Sequence, residues 1–226
     1  MEVKKGRRQE EKKTRRKEGK ALREEDRKMM KRGEEARKPG CSAFIIHHSS
    51  FIIHHSSLDC SMIKMVIFDV DGVLTDGSIM LDSVGVELKR FHVQDGTGIK
   101  YLMRAGIRVA FLTGRQSAAV GFRARELGVE DVCQGAKQKL PLYRALVERH
   151  GLADDEVCYV GDDLPDIPVM RRVGLPVAVA NARPEVIEAA KLVTQAAGGH
   201  GAAREVAEKI LKDRGLWDSI IARYHQ

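Results

Sequence analysis

Aromatic residues make up 5% of the 226-residue chain, tryptophan occurs once, and there are four cysteines. Cys41, Cys60, Cys133 and Cys158 form no C-x-x-C pair and no Cys/His set of zinc-finger spacing. That excludes a zinc ribbon or finger and leaves reduced thiols in a cytosolic protein as the simplest account. No uninterrupted apolar run approaches the ~20 residues needed to span a bilayer, so no membrane association is expected. The basic stretch ahead of Ala43 is too long for a secretory signal, and His47 and His48 interrupt the apolar part next to it. The expected location is therefore cytoplasmic.

Charge is distributed unevenly. Residues 1–40 hold 17 Lys and Arg against 9 Asp and Glu, a net of +8, so the remainder carries −1 of the whole-chain +7. A basic arm of this kind can bind nucleic acid or an anionic surface. No aromatic residue accompanies the charges, however, and a solvated, disordered segment without a nucleic-acid partner is the expectation. After the arm comes a tandem repeat, Phe44-Ile45-Ile46-His47-His48-Ser49-Ser50 and Phe51-Ile52-Ile53-His54-His55-Ser56-Ser57. Two copies of seven residues cannot build a solenoid, and the four histidines read as low-complexity sequence, with Met62 or Met65 as the natural first residue. The expected division is a basic, low-complexity extension over 1–61 and one folded domain over 62–226.

From Met62 onward, short apolar runs alternate with helical segments, the pattern of an α/β fold with a parallel sheet covered on both faces. Strands are expected over 63–68, 108–112, 131–134, 157–160 and 176–180. Helices are expected near 97–105, 117–127, 138–150, 165–173, 184–190 and 202–212. Gly106, Gly128, Gly151 and Gly174 each come just after a helix end, where a left-handed cap is wanted. Two extended runs, 78–81 and 86–91, flank Asp82-Ser83-Val84-Gly85 and predict a β-hairpin standing over the first strand end. The aromatic-bearing end at Trp217 and Tyr224 either caps the domain or docks on a neighbouring subunit.

Ligands collect at the carboxyl ends of strands in open α/β sheets. Four polar segments qualify here. Asp69-Val70-Asp71-Gly72 sets two carboxylates at the end of the first strand, able to divide the tasks of nucleophile and proton donor, although Asp and Gly also make ordinary polar turns. Thr113-Gly114-Arg115 offers a hydroxyl, an open N–H and a guanidinium to an anion. Lys139, with Lys137 as competitor, supplies a compact positive charge. Gly161-Asp162-Asp163-Leu164-Pro165-Asp166 gathers three acids that suit Mg²⁺, or equally a helix N-terminus.

In this order the segments resemble the haloacid dehalogenase superfamily of aspartyl-phosphate hydrolases. Within it the chain is similar to the 3-deoxy-D-manno-octulosonate 8-phosphate phosphatases. The likeness is carried by the run from Asp69 to Gly77, the stretch from Glu87 to Ile99, Gln134-Gly135 ahead of Lys139, the run from Gly161 to Met170, and Ala197-Gly198-Gly199-His200-Gly201-Ala202. The resemblance covers about 62–213 and implies a capless, Rossmann-like, three-layer α/β/α fold with a hairpin flap, assembled as a homotetramer. It also implies a role in lipopolysaccharide precursor synthesis.

By the same resemblance Asp69 is the nucleophile and Asp71 the acid/base. Thr113, Gly114 and Lys139 hold the phosphoryl oxygens, and Asp95, Gly96 and Arg115 contact the sugar acid. Mg²⁺ is held by Asp69, the Asp71 carbonyl and Asp162, with Asp163 or Asp166 in support. His200 stands where many relatives carry Arg, which leaves a contact from that tail to the substrate carboxylate open. Asp71 in place of an apolar residue speaks against a dehalogenase, whose halide leaving group needs no proton. The rival readings are a phosphatase for a nonulosonate 9-phosphate or another sugar phosphate, a phosphomutase, and a catalytically silent module whose arm binds nucleic acid.

Overall fold

The computed structural model describes residues 60–225. The basic arm, the histidine repeat and most of the expected 1–61 extension lie outside the described residues. Cys60 is buried in the core, and its N–H donates to Asp213 Oδ2 at 3.3 Å, so the packed part takes in at least two residues ahead of 62.

Six parallel strands form the main sheet: β1 (Met65–Phe68), β4 (Arg108–Leu112), β5 (Asp131–Cys133), β6 (Val157–Gly161), β7 (Leu175–Ala178) and β8 (Leu192–Val193). Their order is β5-β4-β1-β6-β7-β8. The central strands, Met-Val-Ile-Phe in β1 and Val-Cys-Tyr-Val-Gly in β6, are buried throughout, as expected of strands covered on both faces. Two further strands, β2 (Met80–Leu81) and β3 (Glu87–Leu88), pair antiparallel as the separate hairpin. The α/β architecture and the flap are thus as expected.

From β1 the chain moves outward through α1 (Val93–Arg104), β4 and α2 (Ala118–Leu127) to β5. It then returns through α3 (Lys139–His150) to β6 on the other side of β1, and continues through α4 (Ile167–Met170) and α5 (Pro184–Ala189). Right-handed crossovers place α1 and α2 on one face and α3, α4 and α5 on the other. The reversal makes the carboxyl ends of β1 and β6 the topological switch point, where such sheets bind ligands.

Helix α6 (Ala202–Asp213) packs on α1. A Cβ at Gly98 would lie 3.0 Å from Arg204 Cα, so the glycine permits the close approach. Helix α1 consequently begins at Val93 rather than near 97: Gly96 and Gly98 sit inside the helix because tertiary contact there outweighs their low propensity. Past α7 (Trp217–Ile221), Trp217 meets Tyr101 of α1 edge-on at 6.2 Å, and Tyr101 Oη donates to Tyr224 Oη at 2.8 Å. The aromatic end therefore packs on its own domain. Gly174 departs from expectation. It is absent from the glycines with positive φ, its N–H donates to Asp154 O at 2.8 Å, and a Cβ would stand 2.3 Å from Asp155 O, so lack of a side chain is what the position needs.

Candidate active site

Strand register fixes the site. Phe68 pairs with Phe111 on one side and Val160 on the other, so Asp69 comes level with Leu112 and Gly161. Thr113 and Asp162 stand one residue further out, on either side of it. The Asp69 N–H still donates to Val160 O at 3.0 Å, which fixes the backbone just beyond the last paired residue. The loop after β5 is tied to the loop after β4, with Ala136 N–H donating to Thr113 O at 3.1 Å and Gly135 N–H to Arg115 O at 3.0 Å. That tie delivers Lys139, the first residue of α3, to the first strand end.

Lys139 is buried, with its Nζ 2.9 Å from Asp69 Oδ1 and 2.6 Å from Asp166 Oδ1. Burial works to lower its pKa, but the two carboxylates prevail and raise it, so the ammonium stays charged. Lys137, the competing candidate, is exposed. Asp166 is buried and fully engaged. Besides Lys139 it accepts from Tyr159 Oη at 2.6 Å and from the N–H groups of Asp162 and Asp163 at 3.0 and 3.1 Å.

Oxygens of Asp69, Asp162 and Asp166 lie within 4.8 Å of one another. Burial pushes Asp69 up to about 6, even with Lys139 drawing it down. Burial, with the charges of Asp69 and Asp166, pushes Asp162 up to about 8. Asp162 Oδ1 is buried without a hydrogen-bond partner. A cluster of hard oxygen donors that resists ionisation by itself, with one acceptor unsatisfied, fits a divalent cation such as Mg²⁺. Because Asp166 is saturated by donors, Asp69 and Asp162 are the carboxylates left to hold one. Gly72, at φ +91°, clears the space: a Cβ there would fall 2.1 Å from Asp162 Oδ2. Gly198 serves similarly, since a Cβ would fall 1.7 Å from Gly72 O. The 197–201 loop therefore rests directly on the first strand's loop, with Gly199 N–H donating to Val73 O at 2.8 Å.

Asp71 sits in different surroundings. It is half-buried, Thr113 Oγ1 donates to its Oδ2 at 3.5 Å, Arg115 Nε is 4.0 Å from the same oxygen, and Lys89 Nζ binds its Oδ1. Glu87 bridges Lys89, at 3.3 Å, and Arg115, at 2.8 Å. The nearby Ser117 hydroxyl, with Arg115 and Lys89, holds the Glu87 carboxyl down to about 2. The motif reading missed Lys89 as a contact to Asp71 and Glu87 as the partner of Lys89 and Arg115. Their signal was inverted polarity: Val86 and Leu88 of the hairpin face outward while Glu87 and Lys89 turn in.

The structure therefore brings Asp69, Asp71, Thr113, Lys139, Asp162 and Asp166 together, with Gly114 and Arg115 at the rim. Four others are placed elsewhere. The buried Asp95 carboxylate accepts from Arg204 N–H at 2.8 Å and Gly201 N–H at 3.3 Å, which ties it to the start of α6. Gly96 makes room for Arg123, whose Nη2 would stand 2.3 Å from a Cβ there. Asp163 is exposed and accepts from its neighbour Leu164 N–H at 2.8 Å, capping the turn over Leu164–Asp166, whereas Asp166 lies within the carboxylate cluster. His200 is exposed, with Nδ1 2.8 Å from Gly198 O. Among the described residues no helix is long and apolar enough to cross a membrane.

Comparison with known proteins agrees with this geometry. A family model described as haloacid dehalogenase-like hydrolase matches residues 131–206. The chain is 47% identical over 156 residues to the 3-deoxy-D-manno-octulosonate 8-phosphate phosphatase of Escherichia coli K12, covering 69% of this chain and 83% of that one. The phosphatase of the same description from Moraxella catarrhalis was solved with magnesium ion, phosphate ion and KDO. It superposes with a TM-score of 0.72 at 40% identity, over 74% of this chain and 95% of that one. The Yersinia pestis phosphatase gives a TM-score of 0.70 at 42% identity, over 71% and 86%. With strand order, site and sequence in agreement, the chain belongs to the 3-deoxy-D-manno-octulosonate 8-phosphate phosphatase family of haloacid dehalogenase-like hydrolases.

Proposed function

We propose that the chain is a Mg²⁺-dependent phosphatase that hydrolyses 3-deoxy-D-manno-octulosonate 8-phosphate to the free sugar acid and phosphate. The observation that carries the mechanism is the pair Asp69 and Asp71 on one loop, each carboxylate bonded to a different lysine. Asp69, Asp162 and the Asp71 carbonyl would hold Mg²⁺, which would supply the positive charge that lets a carboxylate approach a phosphate dianion. Asp69 attacks phosphorus, forming an O–P bond as the bond to the sugar oxygen breaks, and Asp71 gives its proton to the departing alkoxide. Asp71 then takes a proton from water, which attacks phosphorus and frees Asp69 with release of phosphate. Lys139 and Thr113, with the Gly114 N–H, hold the phosphoryl oxygens. Arg115 at the rim suits the substrate carboxylate, whereas the positions of Asp95 and Gly96 give that role no support.

The flap exposes Leu81, Val84 and Leu88 at 62%, 80% and 54%, which supports assembly through this surface. A homotetramer whose neighbours enclose each other's sites rests on the family likeness, as do a cytoplasmic location and a place in lipopolysaccharide precursor synthesis. A basic extension that ends ahead of the packed Cys60 and is dispensable for turnover is part of the same reading.

The decisive experiment is phosphate release from a panel of sugar phosphates with MgCl₂. Turnover should be highest with the octulosonate 8-phosphate, disappear with EDTA, and return on adding Mg²⁺. Preference for a nonulosonate 9-phosphate would move the substrate to the nearest alternative. No turnover of any eight- or nine-carbon sugar-acid phosphate would sink the assignment.

A further inference from the structure

We propose that Lys89, carried by the flap, is a positioning residue for the acid/base carboxylate: it holds Asp71 Oδ1 so that Oδ2 alone works on the leaving group and then on water. This rests on the reading of Asp71 given above.

The Lys89 side chain is 1% exposed, on a hairpin whose neighbouring Leu88 is 54% exposed. Lysine is almost never buried so fully without partners, and a desolvated ammonium is costly unless its charge is met. Lys89 meets two carboxylates, Asp71 Oδ1 and Glu87 Oε1. Glu87 is anchored in turn by Arg115 Nη2 at 2.8 Å. The contact to Asp71 reaches beyond the hairpin, because Asp71 belongs to the loop after β1.

An ammonium is donor-only. While it binds Oδ1, that oxygen must act as acceptor, and the carboxyl cannot rotate to exchange its two oxygens without breaking an ion pair. Oδ2 is then the oxygen able to carry the transferable proton. It is also the one beside Thr113 Oγ1, at 3.5 Å, and Arg115 Nε, at 4.0 Å, the groups that border the phosphoryl and sugar positions. A carboxyl held in one orientation donates its proton without first searching for geometry.

Leaving-group dependence tests this. The value of kcat/KM reports steps up to departure of the leaving group, so a sugar alkoxide needs the proton and p-nitrophenolate does not. Asp71→Asn, Lys89→Met and Lys89→Gln are compared with wild type on 3-deoxy-D-manno-octulosonate 8-phosphate and p-nitrophenyl phosphate. Both Lys89 variants should lose about 100-fold on the sugar phosphate and less than about 10-fold on the aryl ester, in the range of a general-acid contribution. In Lys89→Ala, ethylammonium chloride should restore part of the lost rate. Tetramethylammonium, which has no N–H, should not.

Equal losses on both substrates, or a raised KM with unchanged kcat, would overturn the positioning role and leave Lys89 as a flap or binding residue. If Asp71→Asn shows the leaving-group signature and the Lys89 variants do not, the mechanism stands and this inference fails. If Asp71→Asn itself lacks the signature, the acid/base assignment falls first and this inference with it. Since the flap lies outside the main sheet, the Lys89 variants are expected to fold, with an unchanged circular dichroism spectrum as the check.

Discussion

The strand-end cluster and the flap hold their carboxylates by different means. Around Asp69 the partners are fixed by the core: its own N–H bonds to β6, Lys139 opens α3, and Asp166 is pinned by Tyr159 and two backbone N–H groups. Around Asp71 the closest partners, Lys89 and, through it, Glu87, come from a hairpin of two-residue strands outside the main sheet. On the proposed mechanism the nucleophile must stay in line with phosphorus, which a rigid mount suits, while the acid/base works at the mouth, where substrate has to enter.

If the contrast is right, damage to the cluster should cost both stability and activity, while damage to the flap should cost activity alone. Lys139→Met removes one partner of a buried ion network and leaves Asp69 and Asp166 uncompensated. Loss of about 3–5 kcal/mol in urea unfolding is expected, together with loss of turnover. An unchanged unfolding midpoint would break the comparison on its rigid side.

The next effect is that of pH on metal binding. Without metal the folded state holds Asp162 near 8 and Asp69 near 6, above the ordinary 3.8. Between these limits the folded state binds more protons than the unfolded one, so stability of the metal-free protein falls as pH rises. Mg²⁺ needs both groups ionised, so protons compete with it. The rise in Tm on adding MgCl₂ should therefore be larger at pH 8 than at pH 5.5, and a rise independent of pH would contradict the proposed ligands.

On the flap, Glu87→Gln should lower turnover several-fold, within the range for displacing a catalytic group, and leave Tm almost unmoved. A large drop in Tm would mean the hairpin is part of the core's stability after all. Smallest of all is Asp163→Ala. Loss of this turn cap should cost about 1 kcal/mol at most, with turnover and Mg²⁺ dependence retained. A clear fall in Mg²⁺ affinity would return Asp163 to the metal's support.

The strand-end residues were legible in the sequence because each comes directly after an apolar run, and the parallel register aligned them. Those that escaped depended on contacts distant along the chain. Asp95 was a substrate candidate only by family likeness; the hydrogen bonds it accepts come from backbone groups more than a hundred residues away. The expected helix over 165–173 divides into a turn over Leu164–Asp166 and the four-residue α4, where Asp166 turns inward to its buried partners. Strand β8, Leu192–Val193, has too few residues to show a period. Lys89 was hidden in a hairpin whose inward face is polar, the reverse of the usual rule.

That reversal makes the hairpin's turn a timing mark for the whole site. Side chains alternate faces along a strand, so shifting β3 by one residue would carry Leu88 inward onto Asp71 and send Lys89 out to water. Adding or removing one residue in the turn over 82–85 would leave the fold's core untouched and present the wrong chemistry to the substrate. On the proposed mechanism, the length of that turn matters to turnover as much as the identity of the aspartates.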